Sequence, residues 1–163
     1  NASNTPHRLF KQYDHEGGIH TPMIAHWPKG IKGNNRISNS LSHLVDVMPT
    51  ILDASQVDAP QKSGGKTRIP WNGHSLLPVF IDDKQIDHER LFFSHAKGKA
   101  LRKGNWKLVR TLQSKNKSSW ELYDLSVDPG ESNNLAGTRP KKVEELTIEW
   151  SAWERELLSQ ATQ

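Results

Sequence analysis

Apolar residues recur along this chain with two different periods. Leu146, Trp150, Trp153 and Leu157 are spaced by four, three and four, the one-sided stripe of an amphipathic helix. The spacing predicts a helix over 141–158, with Thr138 and Pro140 as its start signal. Upstream, the apolar runs are short and bounded by turn residues. The Gly104-Asn105 pair predicts a hairpin over 100–110, with Ala100-Leu101-Arg102 facing Trp106-Lys107-Leu108-Val109. Further strands are predicted over 91–95 and 120–125, the second ended by Asp128-Pro129-Gly130. In the first half, the apolar run 23–27 reads as a buried strand closed by Pro28-Lys29-Gly30. Residues 42–55 read as a helix whose regular part starts near Val47, with Asp46 as N-cap and Pro49 tolerated in the first turn. Met48, Ile51 and Leu52 then share a face directed at a core. Residues 56–71 carry Gly64-Gly65 and two prolines and read as a surface linker, and 72–78 lead into a short helical turn.

The order is therefore strand, helix, linker, three or four antiparallel strands and a closing helix. This is an α/β chain that taken alone reads as α+β: a small antiparallel sheet with one face covered by the last helix. The single strand at 23–27 has no predicted partner in the chain.

Composition narrows the picture. Of the 163 residues, 34% are hydrophobic, low for a domain that completes its own core. Net charge is +4, but acids and bases are interspersed, so anionic partners are permitted and not required. Cysteine is absent, which excludes a disulfide framework, a thiolate zinc site and a thiol nucleophile within these residues. No apolar run is long enough to span a membrane as a helix. Asn1-Ala2-Ser3 and Asn116-Lys117-Ser118 match the N-glycosylation sequon.

Candidate chemistry concentrates in 11–22. Lys11 precedes Glu16-Gly17-Gly18, and Thr21-Pro22 sets an extended exit. Paired glycines remove the barrier to positive φ and predict a sharp turn, with Glu16 bonding backbone N–H groups to pin it. A lysine held by such a turn at a strand edge can grip an anion. His15 and His20 do not make a zinc-protease pair. They are five residues apart, about 140° off a common helix face, whereas that signature needs a spacing of four. His43, His74 and His95 lie beside apolar segments and read as core or rim histidines; Asp82-Asp83 reads as a solvated turn. Tryptophans beside basic residues, as in Lys103-Gly104-Asn105-Trp106-Lys107, raise single-stranded nucleic acid as a partner. The helix stripe and strand cores account for four of them, and no nucleic acid is expected.

Several motifs in this order resemble one family. They are Phe10-Lys11-x-x-x-His15-Glu16-Gly17-Gly18-Ile19-x-Thr21-Pro22, His43-Leu44-Val45-Asp46-Val47-Met48-Pro49-Thr50, Gly73-x-Ser75-Leu76-Leu77-Pro78, Leu91-Phe92-Phe93-x-His95, Ala100-Leu101-Arg102-x-Gly104-x-Trp106-Lys107-Leu108-Val109 and Trp120-Glu121-Leu122-Tyr123-Asp124-Leu125-x-x-Asp128-Pro129-Gly130. Together they resemble the C-terminal part of a formylglycine-dependent sulfatase of the bacterial arylsulfatase type, and they cover nearly the whole chain. The resemblance implies an alkaline-phosphatase-like α/β fold, with 1–80 as the end of the catalytic domain and 81–163 as a small antiparallel-sheet subdomain with its closing helix. It implies hydrolysis of aryl or carbohydrate sulfate esters, a Ca2+ ion in the complete enzyme, and a periplasmic or extracellular setting. The family's sulfate-binding lysine falls on Lys11, the expected catalytic group; His20 and His95 are the further substrate-binding candidates. The nucleophile motif and the metal-binding aspartates of the family have no match here. The chain is therefore expected to hold no metal, to depend on the N-terminal part of the same protein, and to be inactive alone. The alternative is a non-catalytic module binding anionic glycans or nucleic acid by its charge.

Overall fold

The computed structural model describes residues 4–32, 36–63, 65–67, 72–86, 88–95, 98–111 and 119–161. In chain order the elements are α1 (Glu16–Ile19), a 3-10 turn (Leu44–Asp46), α2 (Val47–Ser55), β1 (Lys62–Ser63), β2 (Lys66–Thr67), α3 (Leu77–Asp82), β3 (Leu91–His95), β4 (Gly98–Lys103), β5 (Trp106–Arg110), β6 (Glu121–Asp124) and α4 (Pro140–Ala161). They form two units: Asn1–Pro22 with Glu89–Gln163, and Met23–His88.

The first unit is built on an antiparallel meander in the order β3-β4-β5-β6. The expected hairpin is present: Ala100 pairs with Val109 and Lys103 with Trp106. Gly104 adopts φ 55° in the connecting turn, a conformation that a side chain disfavours. Because side chains alternate across a strand, Leu101, Leu108 and Leu122 share one face and meet Leu146 and Trp150 of α4; Phe92 and Trp153 pack against the same cluster. Trp153 stacks on Phe92 with ring centroids 4.7 Å apart, and the Trp150 indole N–H donates to the Ala100 carbonyl at 3.2 Å. The predicted stripe is thus the buried face of α4, except that Leu157 is exposed. The helix starts at Pro140, whose fixed φ suits the first turn. Thr138 does not cap it; its hydroxyl donates to the Leu135 carbonyl.

The second unit centres on Asp46. Its fully buried carboxylate accepts the backbone N–H groups of His43 (2.7 Å) and His74 (2.8 Å) and pairs with His88 Nε2 (2.8 Å). The His74 and His88 rings stack at 4.6 Å. Asp46 stands at the N-cap position of α2 as expected, yet its carboxylate makes no bond to that helix. It reaches backwards instead and closes the capping box of the 3-10 turn.

Two expectations are corrected here. Residues 23–27 form no strand, and Ile24 is 94% exposed; a strand requires a hydrogen-bonding neighbour, and none lies beside it among the described residues. Met48 and Ile51 of α2 do not face a core but lie exposed, since no described element of this unit covers that side. The 56–71 segment includes the short β1–β2 hairpin, and 68–71 fall outside the described residues, as do both sequon asparagines.

Candidate functional site

The face of the sheet opposite α4 carries charge. Arg102 and Lys107 are cross-strand partners, and Lys107 is also opposite Tyr123. Lys107 is fully buried on the central strand β5, where an unpaired ammonium would carry a large desolvation cost. Its Nζ lies 2.7 Å from Glu16 Oε1 and 3.4 Å from Glu131 Oε1. Both acids are buried. The Glu16 backbone N–H donates to Glu131 Oε2 at 2.8 Å, so α1 is tied by its side chain to β5 and by its backbone to the loop after β6. Burial pushes the Glu16 carboxyl up, but Lys107 and, after it, Arg102 outweigh burial and hold it below the ordinary carboxylate range. In Glu131 burial wins over Lys107 and the Glu16 N–H, and its carboxyl is raised. One ammonium thus faces one firmly ionised carboxylate and one that retains a proton more readily.

A second cluster adjoins it. His15, buried, pairs through Nε2 with Glu121 Oε2 at 3.1 Å. The same oxygen takes the Tyr123 hydroxyl at 2.5 Å and Arg8 Nη1 at 2.7 Å. The His15 bond, with those of Tyr123 and Arg8, overcomes burial and holds Glu121 at a pKa of about 2. Burial and Glu121 raise Tyr123, which stays protonated. Asp14 is buried with Oδ2 lacking a hydrogen bond, and burial raises its carboxyl against the charges of His95, Lys107 and His15.

The glycine pair works differently from the expectation. Gly17 and Gly18 sit inside the single turn of α1 at negative φ. What they provide is closeness: a Cβ on Gly17 would collide with the carbonyl oxygens of Arg8 and Leu9, and one on Gly18 with that of Tyr13. Gly17 N–H also donates to the Arg8 carbonyl at 2.9 Å. Glu16 does not bond backbone N–H groups through its carboxylate; it binds Lys107 and His20.

Lys11 lies exposed in the turn that precedes this anchored segment, and its ammonium has no hydrogen bond or ion pair among the described residues. His20 is exposed, with Nδ1 3.1 Å from Glu16 Oε2 and its ring beside that of His7. His95, also exposed, ends β3 opposite Gly98, whose α-carbon is overlain by the Asp14 carboxylate. All three belong to the first unit, but no hydrogen bond, ion pair or ring contact joins them. Sequence reasoning passed over Lys107, Glu121 and Glu131. The available signal was Lys107 itself: in the run Trp106-Lys107-Leu108-Val109 it shares a face with Val109, so it had to be buried and paired. Among the described residues no three His, Asp or Glu side chains converge to hold a metal ion, and no metal chemistry is assigned to them.

Residues 6–156 match the family model described as N-sulphoglucosamine sulphohydrolase, C-terminal. An uncharacterised sulfatase of Schizosaccharomyces pombe is 36% identical over 159 residues, covering 95% of this chain and 28% of that protein. Arylsulfatase K of Canis lupus familiaris is 32% identical over 145 residues, covering 83% of this chain and 26% of its own length. The chain therefore spans little more than a quarter of the relatives it matches. Among solved structures, Ps i-CgsB superimposes with a TM-score of 0.70 at 22% identity, over 93% of this chain and 32% of the other. BT4656, solved in complex with its substrate D-glucosamine-2-N,6-O-disulfate, gives 0.54 at 25% identity over 79% and 27%. The fold is shared with part of Ps i-CgsB, and this chain belongs to the family described as N-sulphoglucosamine sulphohydrolase, C-terminal.

Proposed function

We propose that the complete protein hydrolyses sulfate esters and that this chain supplies Lys11 to grip the sulfate, with His20 and His95 on the substrate side. The observation that carries the reading is the anchoring of the Lys11 turn. Five residues after Lys11, Glu16 is fixed to β5 by Lys107 and to the loop after β6 by Glu131, while the Lys11 ammonium is unpaired among the described residues. A sulfate monoester is anionic at any ordinary pH, and charge grows on the bridging oxygen as the S–O bond breaks. A preorganised ammonium stabilises both charges. Formylglycine and Ca2+, held by the N-terminal part of the same protein, would supply the nucleophile and a counter-charge. BT4656, with its sulfated glucosamine substrate, supports a carbohydrate sulfate as the ester.

A charge-driven glycan or nucleic-acid module is less well supported. Arg8, Lys99, Lys103, Lys107 and Lys142 are each paired with a carboxylate, which offsets much of the positive charge on and around the sheet. In the complete protein, Lys11→Ala is expected to lower kcat/KM on 4-nitrophenyl sulfate by about 2–4 kcal/mol of transition-state stabilisation, the scale of one lost preorganised donor. Unchanged kcat/KM would remove Lys11 from the site.

A further inference from the structure

We propose that His7 and His20 form a paired hydroxyl acceptor that favours a carbohydrate sulfate over a simple aryl sulfate; this rests on the sulfatase reading above. The two rings lie side by side, 4.4 Å between centroids and 33° between planes. Each is anchored through Nδ1: His20 to Glu16 Oε2 at 3.1 Å, His7 to the Pro129 carbonyl at 3.1 Å. A carbonyl oxygen and an ionised carboxylate can only accept, so both Nδ1 atoms carry hydrogen. In a neutral imidazole, Nε2 is then a lone-pair acceptor. Neither Nε2 has a hydrogen-bond partner among the described residues. The anchors are themselves fixed. Glu16 is held by Lys107 at 2.7 Å, and Pro129 lies in the turn after β6, where Asp128 accepts the N–H groups of Ser132 and Asn133.

Two oriented acceptors with no protein donor suit a ligand that brings hydroxyl hydrogens. A sugar ring presents several; the leaving group of a simple aryl sulfate presents none. The pair would therefore add binding for the sugar part of the substrate, whereas Lys11 serves the sulfate common to both classes. A site built to accept hydroxyls discriminates against analogues lacking them.

The experiment compares D-glucosamine 6-sulfate with 4-nitrophenyl sulfate as substrates of the complete protein. His7→Asn and His20→Asn each retain an amide N–H near the Nδ1 position, so the anchor survives while Nε2 is lost. Each is expected to reduce kcat/KM for the sugar sulfate roughly tenfold more than for the aryl sulfate, the scale of one hydrogen bond. His20→Gln, which returns an acceptor near Nε2, is expected to recover part of that ratio. Equal losses on both substrates would mark a structural role and overturn the proposal, as would no loss on either. Lys11→Ala, by contrast, should lower both substrates together; if it does not, the sulfate reading fails while the histidine ratio still stands or falls by itself. Should no ester be turned over, calorimetric titration with D-glucosamine 6-sulfate decides, and equal affinity of wild type and His20→Asn would overturn the pair.

Discussion

On one face of the four-stranded sheet, Leu101, Leu108 and Leu122 meet Leu146 and Trp150 of α4. On the other, Arg102, Lys107, Glu121 and Tyr123 meet Arg8, His15, Glu16 and Glu131. Both faces are covered, the charged one less completely, since Arg8, Arg102 and Glu121 keep part of their side chains in water, and their energetics differ. The leucine face is stabilised by removing apolar area from water, roughly 1.5–3 kcal/mol for each fully buried side chain, and tolerates volume-conserving change. The charged face gains little net energy from its ion pairs, because desolvation consumes most of the attraction. It gains placement: each charge must sit opposite its partner, and so the segment bearing Lys11 and His20 has one seat. The helix-covered face carries stability, and the ionic face fixes where the candidate site residues stand.

The largest expected effect separates the two faces by pH. Lys107→Met leaves Glu16 and Glu131 buried without their cation and should cost about 3–5 kcal/mol near neutral pH. Leu108→Ala should cost a comparable amount, about 2–5 kcal/mol, through its cavity. Urea unfolding of the complete protein at several pH values distinguishes them. The Lys107→Met penalty should shrink on acidification as the orphaned carboxylates take up protons, and the Leu108→Ala penalty should not. Matching pH profiles would erase the contrast.

A smaller effect belongs to Glu121. Its pKa of about 2 lies below the ordinary 4.5, so between those values the unfolded chain binds more protons than the folded one. Its stabilisation is therefore complete above pH about 5 and is lost as pH falls toward 2, at most about 3 kcal/mol. Glu121→Gln should flatten that acid limb of the urea midpoint. Glu131, raised by burial, acts with the opposite sign, since its folded carboxyl holds a proton more tightly and stability is lost as pH rises. A steeper acid limb in Glu121→Gln would contradict the assignment.

The smallest effect concerns charge on the helix side. Lys103 Nζ lies 2.5 Å from Glu149 and 3.5 Å from Glu145, at the rim of the leucine face. Such partly exposed pairs contribute about 0–1 kcal/mol. Lys103→Ala should shift the midpoint by no more than that, and the shift should vanish in high salt. A loss approaching that of Lys107→Met would mean that position in the sheet, and not burial, sets the energetics.

What could be read in the sequence follows the same division. The stripe Leu146, Trp150, Trp153 and the Gly104-Asn105 hairpin are local periodic signals, and both elements formed where the pattern put them. The run 23–27 misled because an apolar stretch specifies burial without specifying a partner, and Ile24 stands exposed. Gly17 and Gly18 misled for another reason. Their role is to admit the carbonyl oxygens of Arg8, Leu9 and Tyr13, contacts that no propensity scale encodes. Asp46 was placed correctly at its helix terminus, but its donors come from His43, His74 and His88, which only the folded chain assembles. For the candidate site, the family motif pointed to Lys11 as a proposal still to be tested, whereas Lys107 and Glu131 were hidden by their distance along the chain.

That distance has a consequence for biosynthesis. Glu16 and Lys107 are separated by 91 residues, and Glu16 and Glu131 by 115. While the polypeptide is being translated, Glu16 emerges long before Lys107 and Glu131. The early segment must wait, unlatched, until the meander exists to receive it. Closing so wide a loop is slow compared with zipping a neighbouring hairpin, so latching of the N-terminal segment should be among the last steps of maturation.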